Sequence, residues 1–237
     1  MRPAPDQPRY NVGTALLAWV GAFSVGVFGA AIVLAATGYS KTDQADLPLW
    51  VVGLVQLPAW IGLTVAAVLV SRLFGTGRLR DDYGFGFRLV DLWGLPIGVI
   101  VQLVFIPILY AGMRAVGVDT SSLDKPAQEL TDKAQDRIGV VLVVLLVVVG
   151  APLVEELFFR GLVQRAISAR YSDGFAIGGS AVLFALIHFQ PLQFAGLLLF
   201  GLVLGYCAHR TRRLGMGMMA HAAFNATTVI LLLNPKR

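Results

Sequence analysis

The chain alternates between long apolar runs and short polar connections. Seven runs have a length near or above 18 residues, and about 20 apolar residues in a helix cross roughly 30 Å of hydrocarbon. The pattern therefore predicts an all-α, polytopic transmembrane helix bundle of about seven helices, or eight if the first or third run is divided. The runs cover approximately residues 12–37, 49–71, 91–116, 138–160, 174–189, 193–209 and 214–233. Residues 1–237 are read as a single membrane domain.

Basic residues in the connections favour one orientation. With the N-terminus in the cytoplasm, the cytoplasmic segments carry 11 Lys and Arg residues and the outer segments carry 6. Because cytoplasmic loops are enriched in basic residues, we expect a multi-pass protein of the cell membrane with a cytoplasmic N-terminus. The long polar connection 117–137 is then outside, as a solvated loop with a short amphipathic helix or as a lid over a site.

Composition narrows the possible partners. The chain is 57% hydrophobic and 14% charged, with a net charge of +5. The basic residues sit in short loops and form no patch with interleaved aromatic residues, so we predict a lipid bilayer partner and no nucleic acid. The single cysteine, Cys207, provides neither a disulfide framework nor a thiolate zinc site. The oligomeric state has no signal in the sequence.

Ionisable residues inside the apolar runs mark the candidate site. A charge within a bilayer costs about 2.5–3.5 kcal/mol on insertion scales, and such residues commonly face the bundle interior and serve a function. Three lie in the stretch APLVEELFFRG, and two histidines and an asparagine lie in later runs. The candidates are Glu155, Glu156, Arg160, His188, His221 and Asn225.

Spacing predicts that these residues share one polar site. Glu155 and His188 are nearly equidistant from the polar turn 171–174, so two antiparallel helices joined there would place them at similar depth. Glu156 and Arg160 are four residues apart and can form an ion pair on one helix face. The motif FALIH similarly places His188 with Phe184. HAAFN places His221 with Asn225 in the last run.

Pro152 precedes the two glutamates by one helical turn. A proline removes a backbone N–H and crowds the preceding turn of a helix. We therefore predict that the helix kinks or restarts near residues 150–152, which places the glutamates in the first turn or so of a new segment.

Two kinds of chemistry fit this set of residues. A carboxylate could act as general base toward water, with a histidine to position it and His221 with Asn225 to stabilise an oxyanion. Alternatively, Glu155, His188 and His221 could be ligands of a catalytic zinc with an open position. A third interpretation is a buried network that only locks helices together. The motifs HExxH, GxSxG and the phosphate-binding loop are absent from the sequence.

Three motifs in order resemble the CPBP family, the CAAX proteases and bacteriocin-processing proteins also called Abi. EELFFR fits EExxxR, FALIH fits FxxxH and HAAFN fits HxxxN. The resemblance covers residues 138–233, which would be the catalytic core helices. Residues 12–137 match only as generic membrane helices. The chain has no eukaryotic-looking insertions, and in this it resembles the prokaryotic branch of the family.

The resemblance implies an intramembrane endopeptidase that cleaves a membrane-associated peptide or a prenylated C-terminal tail. In the family, Glu155 with His188 would activate water, His221 and Asn225 would form the oxyanion hole, and Glu156 and Arg160 would support the site. We prefer the mechanism without a cofactor, and zinc-dependent hydrolysis is the alternative. Two hypotheses without hydrolysis stay open: a non-catalytic bacteriocin immunity or scaffold protein, and an ion-coupled transporter, although no repeated halves are visible.

Overall fold

A computed structural model describes residues 10–233 and contains nine helices within that range and no strand. They are α1 Val12–Thr37, α2 Leu49–Phe74, α3 Leu79–Tyr83, α4 Leu89–Ala115, α5 Lys125–Thr131, α6 Arg137–Ser168, α7 Asp173–Leu186, α8 Phe194–Thr211 and α9 Gly215–Leu233. Six of these helices, α1, α2, α4, α6, α8 and α9, are long and apolar enough to cross a membrane. The all-α transmembrane bundle is therefore confirmed.

The orientation in the membrane stays a prediction. Four of the basic residues that it uses, Arg2, Arg9, Lys236 and Arg237, lie outside the described residues. The connection between α4 and α6 contains the short helix α5, and whether this segment covers a site as a lid stays a prediction.

Helix α6 forms the centre of the bundle. All residues from Glu156 to Val163 are buried, and the main apolar core gathers α6 side chains such as Phe158 and Leu162 with residues of α1, α2, α3, α7 and α9. Helices α1 and α2 pack as one antiparallel pair, α7 packs on α8, and α4 packs on α9. Much of the outer surface of α1 is apolar and exposed, as with Leu17 and Phe28, which suits contact with lipid.

Helix α7 is shorter than the predicted run 174–189. It has 14 residues, about 21 Å of helix at 1.5 Å per residue, so this run is not long enough to cross a bilayer alone. The helix ends because Phe189 adopts a left-handed conformation with φ 53° and Pro191 follows two residues later. His188 therefore lies just beyond the helix, whereas the sequence predicts a position within it.

Helix α6 is longer than the predicted run 138–160 and stays continuous through Pro152. It has 32 residues. Instead of breaking, the backbone changes its hydrogen-bond spacing, with π-helical turns at Val144–Gly150 and Glu156–Val163 on either side of the α-helical segment Ala151–Glu155. Where the sequence predicts a kink or restart, the structure thus has a change of hydrogen-bond register, because the wider π turns accommodate Pro152, which has no N–H to donate.

Close contact between α4 and α9 depends on Gly98. A Cβ atom built on Gly98 would lie 2.0 Å from the backbone oxygen of Ala220, whereas a Cβ on Gly112 of the same helix would meet nothing within 4 Å. Overpacking costs about 1–3 kcal/mol, while alanine gains up to about 1 kcal/mol in helix propensity. We expect Gly98→Ala to lower the unfolding midpoint in detergent and the control Gly112→Ala to leave it unchanged or raise it. Equal midpoints for the two variants would contradict the close packing.

Candidate active site

Glu156 and Arg160 form a fully buried ion pair on α6. Arg160 donates from Nη1 to Glu156 Oε1 at 2.9 Å, and Glu156 and Arg160 are 0% and 1% exposed. Arg160 also donates from Nη2 to the Gly201 carbonyl on α8 at 3.2 Å, and its guanidinium carbon lies 4.4 Å from the centroid of the Phe184 ring. The predicted pair is present, and Arg160 connects α6 to α8 through its charge-assisted bond to Gly201 and to α7 through its contact with the Phe184 ring.

His221 brings α9 to both glutamates. Its Nδ1–H donates to Glu156 Oε1 at 3.2 Å, so this oxygen accepts from both Arg160 and His221. Its Nε2 atom lies 3.8 Å from Glu155 Oε2, which is too long for a direct hydrogen bond. The side chain of Glu155 is 15% exposed and that of Glu156 is 0% exposed. Glu156 is therefore committed to the buried pair, and Glu155 is the carboxylate that a reactant can approach.

Aromatic rings surround the polar groups. The centroid of the His221 ring lies 5.2 Å from that of Phe200 and 5.9 Å from that of Phe184, both in edge-on geometry. Phe200 in turn stacks on Phe224 with a centroid distance of 3.9 Å. These rings lower the local polarity around the ionisable groups, which strengthens electrostatic interactions among them.

His188 borders the site through Phe184. Its Nδ1–H donates to the Phe184 carbonyl at 2.7 Å, and the two rings are 4.8 Å apart. This bond leaves Nε2 as the nitrogen with a free lone pair. Within residues 10–233, no hydrogen bond or ion pair joins His188 to Glu155.

Asn225 lies one turn after His221 on α9. Its Nδ2 atom donates to the carbonyl of Val147 on α6 at 2.7 Å. Four of the six predicted residues, Glu155, Glu156, Arg160 and His221, are therefore in one network. The other two lie beside this network, where His188 donates to the Phe184 carbonyl and Asn225 donates to the Val147 carbonyl.

Sequence reasoning missed Phe200 and two glycines of α8. Arg160 donates to the Gly201 carbonyl, and Gln164, one turn later on α6, donates to the Gly205 carbonyl at 3.0 Å. The spacing Gly201 to Gly205 is a small-residue motif typical of close helix packing, and it is a usable signal. An isolated phenylalanine in an apolar run carries no such signal.

The zinc alternative requires three ligand side chains gathered around one point. In the described part of the chain, no group of three His, Cys, Asp or Glu side chains is arranged to hold a metal ion. Glu155, His188 and His221 therefore do not form a ligand set here.

A polar cavity reaches the network from the end of the bundle where α6 ends and α7 begins. It has a volume of about 670 Å³, and Arg160 and Gln164 form part of its inner wall. Its rim carries charged residues from several elements, including Asp81, Arg165 and Arg212. The cavity therefore brings solvent close to the residue that pairs with Glu156.

The fold and the site together define a class: an integral membrane protein whose spanning helices enclose a carboxylate, histidine and arginine centre. Comparison with known families points to the same class, since the model of the type II CAAX prenyl endopeptidase Rce1-like family matches residues 137–227. This chain belongs to the CPBP family of intramembrane endopeptidases. The matched residues contain all six candidate site residues.

Two bacterial relatives are similar over most of their length. An uncharacterized 24.3 kDa protein of Escherichia coli is 31% identical over 206 residues, which cover 76% of this chain and 94% of that protein. The protein named "Putative membrane peptidase YdiL" of Bacillus subtilis is 25% identical over 188 residues, which cover 78% of this chain and 74% of that protein. No solved structure matches the chain.

Proposed function

We propose that this protein is an intramembrane endopeptidase that hydrolyses a peptide bond in a membrane-associated peptide or C-terminal tail. The observation that carries the proposal is the difference in burial and contacts between two adjacent carboxylates. Glu156 is buried and held by Arg160 and His221, whereas Glu155 is partly accessible and has its Oε2 atom 3.8 Å from the Nε2 atom of His221. A water molecule can contact Glu155 and a histidine at once in such an arrangement.

In the proposed reaction, Glu155 takes a proton from water while the water oxygen attacks the carbonyl carbon of the substrate. The carbonyl oxygen becomes an oxyanion, and N–H groups of Asn225 and His221 stabilise it. Glu155 then gives its proton to the leaving nitrogen as the C–N bond breaks. The products are a carboxylate and an amine. His188 contributes its Nε2 lone pair to orient the attacking water.

The charges of the network suit these roles. Arg160 donates to Glu156 inside the buried pair and so compensates the charge of this carboxylate. A balanced network costs less in a low-dielectric environment than an unpaired charge. The Glu156–Arg160 pair then keeps the His221 ring in one orientation, since Glu156 Oε1 accepts from both residues.

The proposed substrate follows from the family and from the location of the site. The matching family model describes a CAAX prenyl endopeptidase, so a lipidated C-terminal tail is one proposed substrate and an unmodified membrane-associated peptide is the other. With a cytoplasmic N-terminus, which the basic residues favour, the cavity beside Arg160 opens to the cytoplasm.

Metal removal tests the preferred mechanism. Because the described side chains offer no three-ligand group, we expect the purified protein to cleave members of a panel of farnesylated and unmodified fluorogenic peptides at the same rate with and without a strong chelator. The measurement is the initial rate, with a known zinc endopeptidase as the positive control for chelation. Loss of activity in chelator and recovery with zinc would support the metal-dependent alternative.

A non-catalytic immunity or scaffold protein is the second candidate. Two observations favour it. Asn225 already donates to a backbone carbonyl, and within the described residues His188 has no hydrogen bond or ion pair to Glu155. A cellular immunity assay separates the two functions. Full protection by a Glu155→Gln variant would support the non-catalytic function.

A further inference from the structure

The carbonyl of Val147 is left without a backbone donor by the combination of a π turn and a proline. In this part of α6, N–H groups donate to the carbonyl five residues earlier, and the Ala151 N–H donates to the Leu146 carbonyl. The next donor in this register would be residue 152, and its acceptor would be Val147. Pro152 has no N–H. Backbone acceptors at membrane depth need another partner.

Asn225 supplies that partner from α9. Its Nδ2 atom donates to Val147 at 2.7 Å. The two helices run antiparallel, and a second contact joins them closer to the glutamates, where His221 Nδ1 donates to Glu156 Oε1 at 3.2 Å. Asn225 and His221 are one turn apart and therefore share a face of α9. The two bonds together fix the position of that face relative to α6.

We propose that Pro152 is a positioning residue for the reaction, because it keeps the Val147 carbonyl free to hold the Asn225 amide. The inference rests on the proposed endopeptidase function. A carboxamide has two N–H donors. Val147 takes one and fixes the amide plane, and the other remains for the oxyanion of the substrate.

The chain contains a matched control in α4. There, π turns cover Val101–Phe105, and the Ile106 N–H donates to the Val101 carbonyl five residues earlier. Pro107 follows, so it occupies the same place relative to its π turns as Pro152 does. Helix α4 supplies none of the site side chains described above. Pro107→Ala therefore changes the same backbone feature away from the site.

A double-mutant cycle of Pro152→Ala and Asn225→Ala tests the proposal with two measurements. The first is the unfolding midpoint in detergent. We expect Asn225→Ala to lower it in the parent protein, where the Val147 carbonyl loses its donor, and to lower it less in the Pro152→Ala background, where residue 152 has an N–H. Additive shifts would overturn the inference, since independent sites add.

The second measurement is the kinetics of peptide cleavage by the same four proteins and by Pro107→Ala. We expect Pro152→Ala to lower kcat by about tenfold or more at unchanged KM, because small misplacement of a group that acts in the transition state is costly. The loss should be less than multiplicative with Asn225→Ala and absent in Pro107→Ala. A parental kcat in Pro152→Ala would overturn the positioning role.

The two measurements separate the failure of this inference from the failure of the proposed function. If the unfolding midpoints are coupled but none of the proteins cleaves any peptide, the Val147–Asn225 contact stands and the endopeptidase proposal fails. If the parent protein cleaves peptides but the midpoints are additive, the endopeptidase proposal stands and the role of Pro152 fails.

Discussion

Glu155→Gln should reduce kcat by about 10²–10⁴-fold, which is the usual contribution of a general base. Glutamine has nearly the same shape but cannot accept a proton from water at neutral pH. Within the described residues the Glu155 carboxylate makes no hydrogen bond, and its Oε2 atom lies 3.8 Å from His221 Nε2, so the fold should tolerate the change. The measurement is single-turnover cleavage of a peptide that the parent protein cuts, with the unfolding midpoint recorded for each protein.

The control for this prediction is Glu129→Gln. Glu129 lies on α5, and its exposed side chain makes a long 4.0 Å contact with Lys125, so the same chemical change there should leave both kcat and the midpoint unchanged. A Glu155→Gln protein that is folded and retains more than about a tenth of the parental kcat would contradict the assignment of Glu155 as the base.

Hydropathy predicts the helices well because the bilayer sets a minimum length for an apolar run. The errors fall at helix ends, where interactions other than hydropathy determine the residue at which a helix stops. The predicted fourth run stops at 160, since Gln164 and Arg165 look like the start of a polar loop. In the structure, Gln164 is buried and donates to the Gly205 carbonyl, so a polar residue continues the helix because a neighbouring helix provides an acceptor.

Sequence reasoning can identify those residues of the candidate site that are ionisable. Glu156, Arg160 and His221 stand out in apolar runs, and the structure joins them directly. The contact that fixes Asn225 is not accessible, because its acceptor is a backbone carbonyl of Val147. Backbone groups carry no sequence signal of their own. Here the only trace is Pro152, which by itself predicts no more than a kink or restart in α6.

Removal of Arg160 should have the largest effect on stability. Arg160→Met leaves Glu156 buried without its strongest partner and also removes the donor to the Gly201 carbonyl. Loss of one partner of a buried ion pair costs about 3–5 kcal/mol. The measurement is the free energy of unfolding in mixed micelles, and Arg114→Met is the control, because Arg114 makes an exposed hydrogen bond to Thr120 at the end of α4.

The double variant Glu156→Gln with Arg160→Met distinguishes an uncompensated charge from a loss of packing. Glutamine at 156 is neutral and can still accept from His221, so we expect the double variant to recover much of the stability that Arg160→Met loses. Because Glu156 orients His221, the double variant should nevertheless have a reduced kcat. If the double variant is as unstable as Arg160→Met alone, the packing of Arg160 on Phe184 and its bond to Gly201, and not the charge of Glu156, account for the loss.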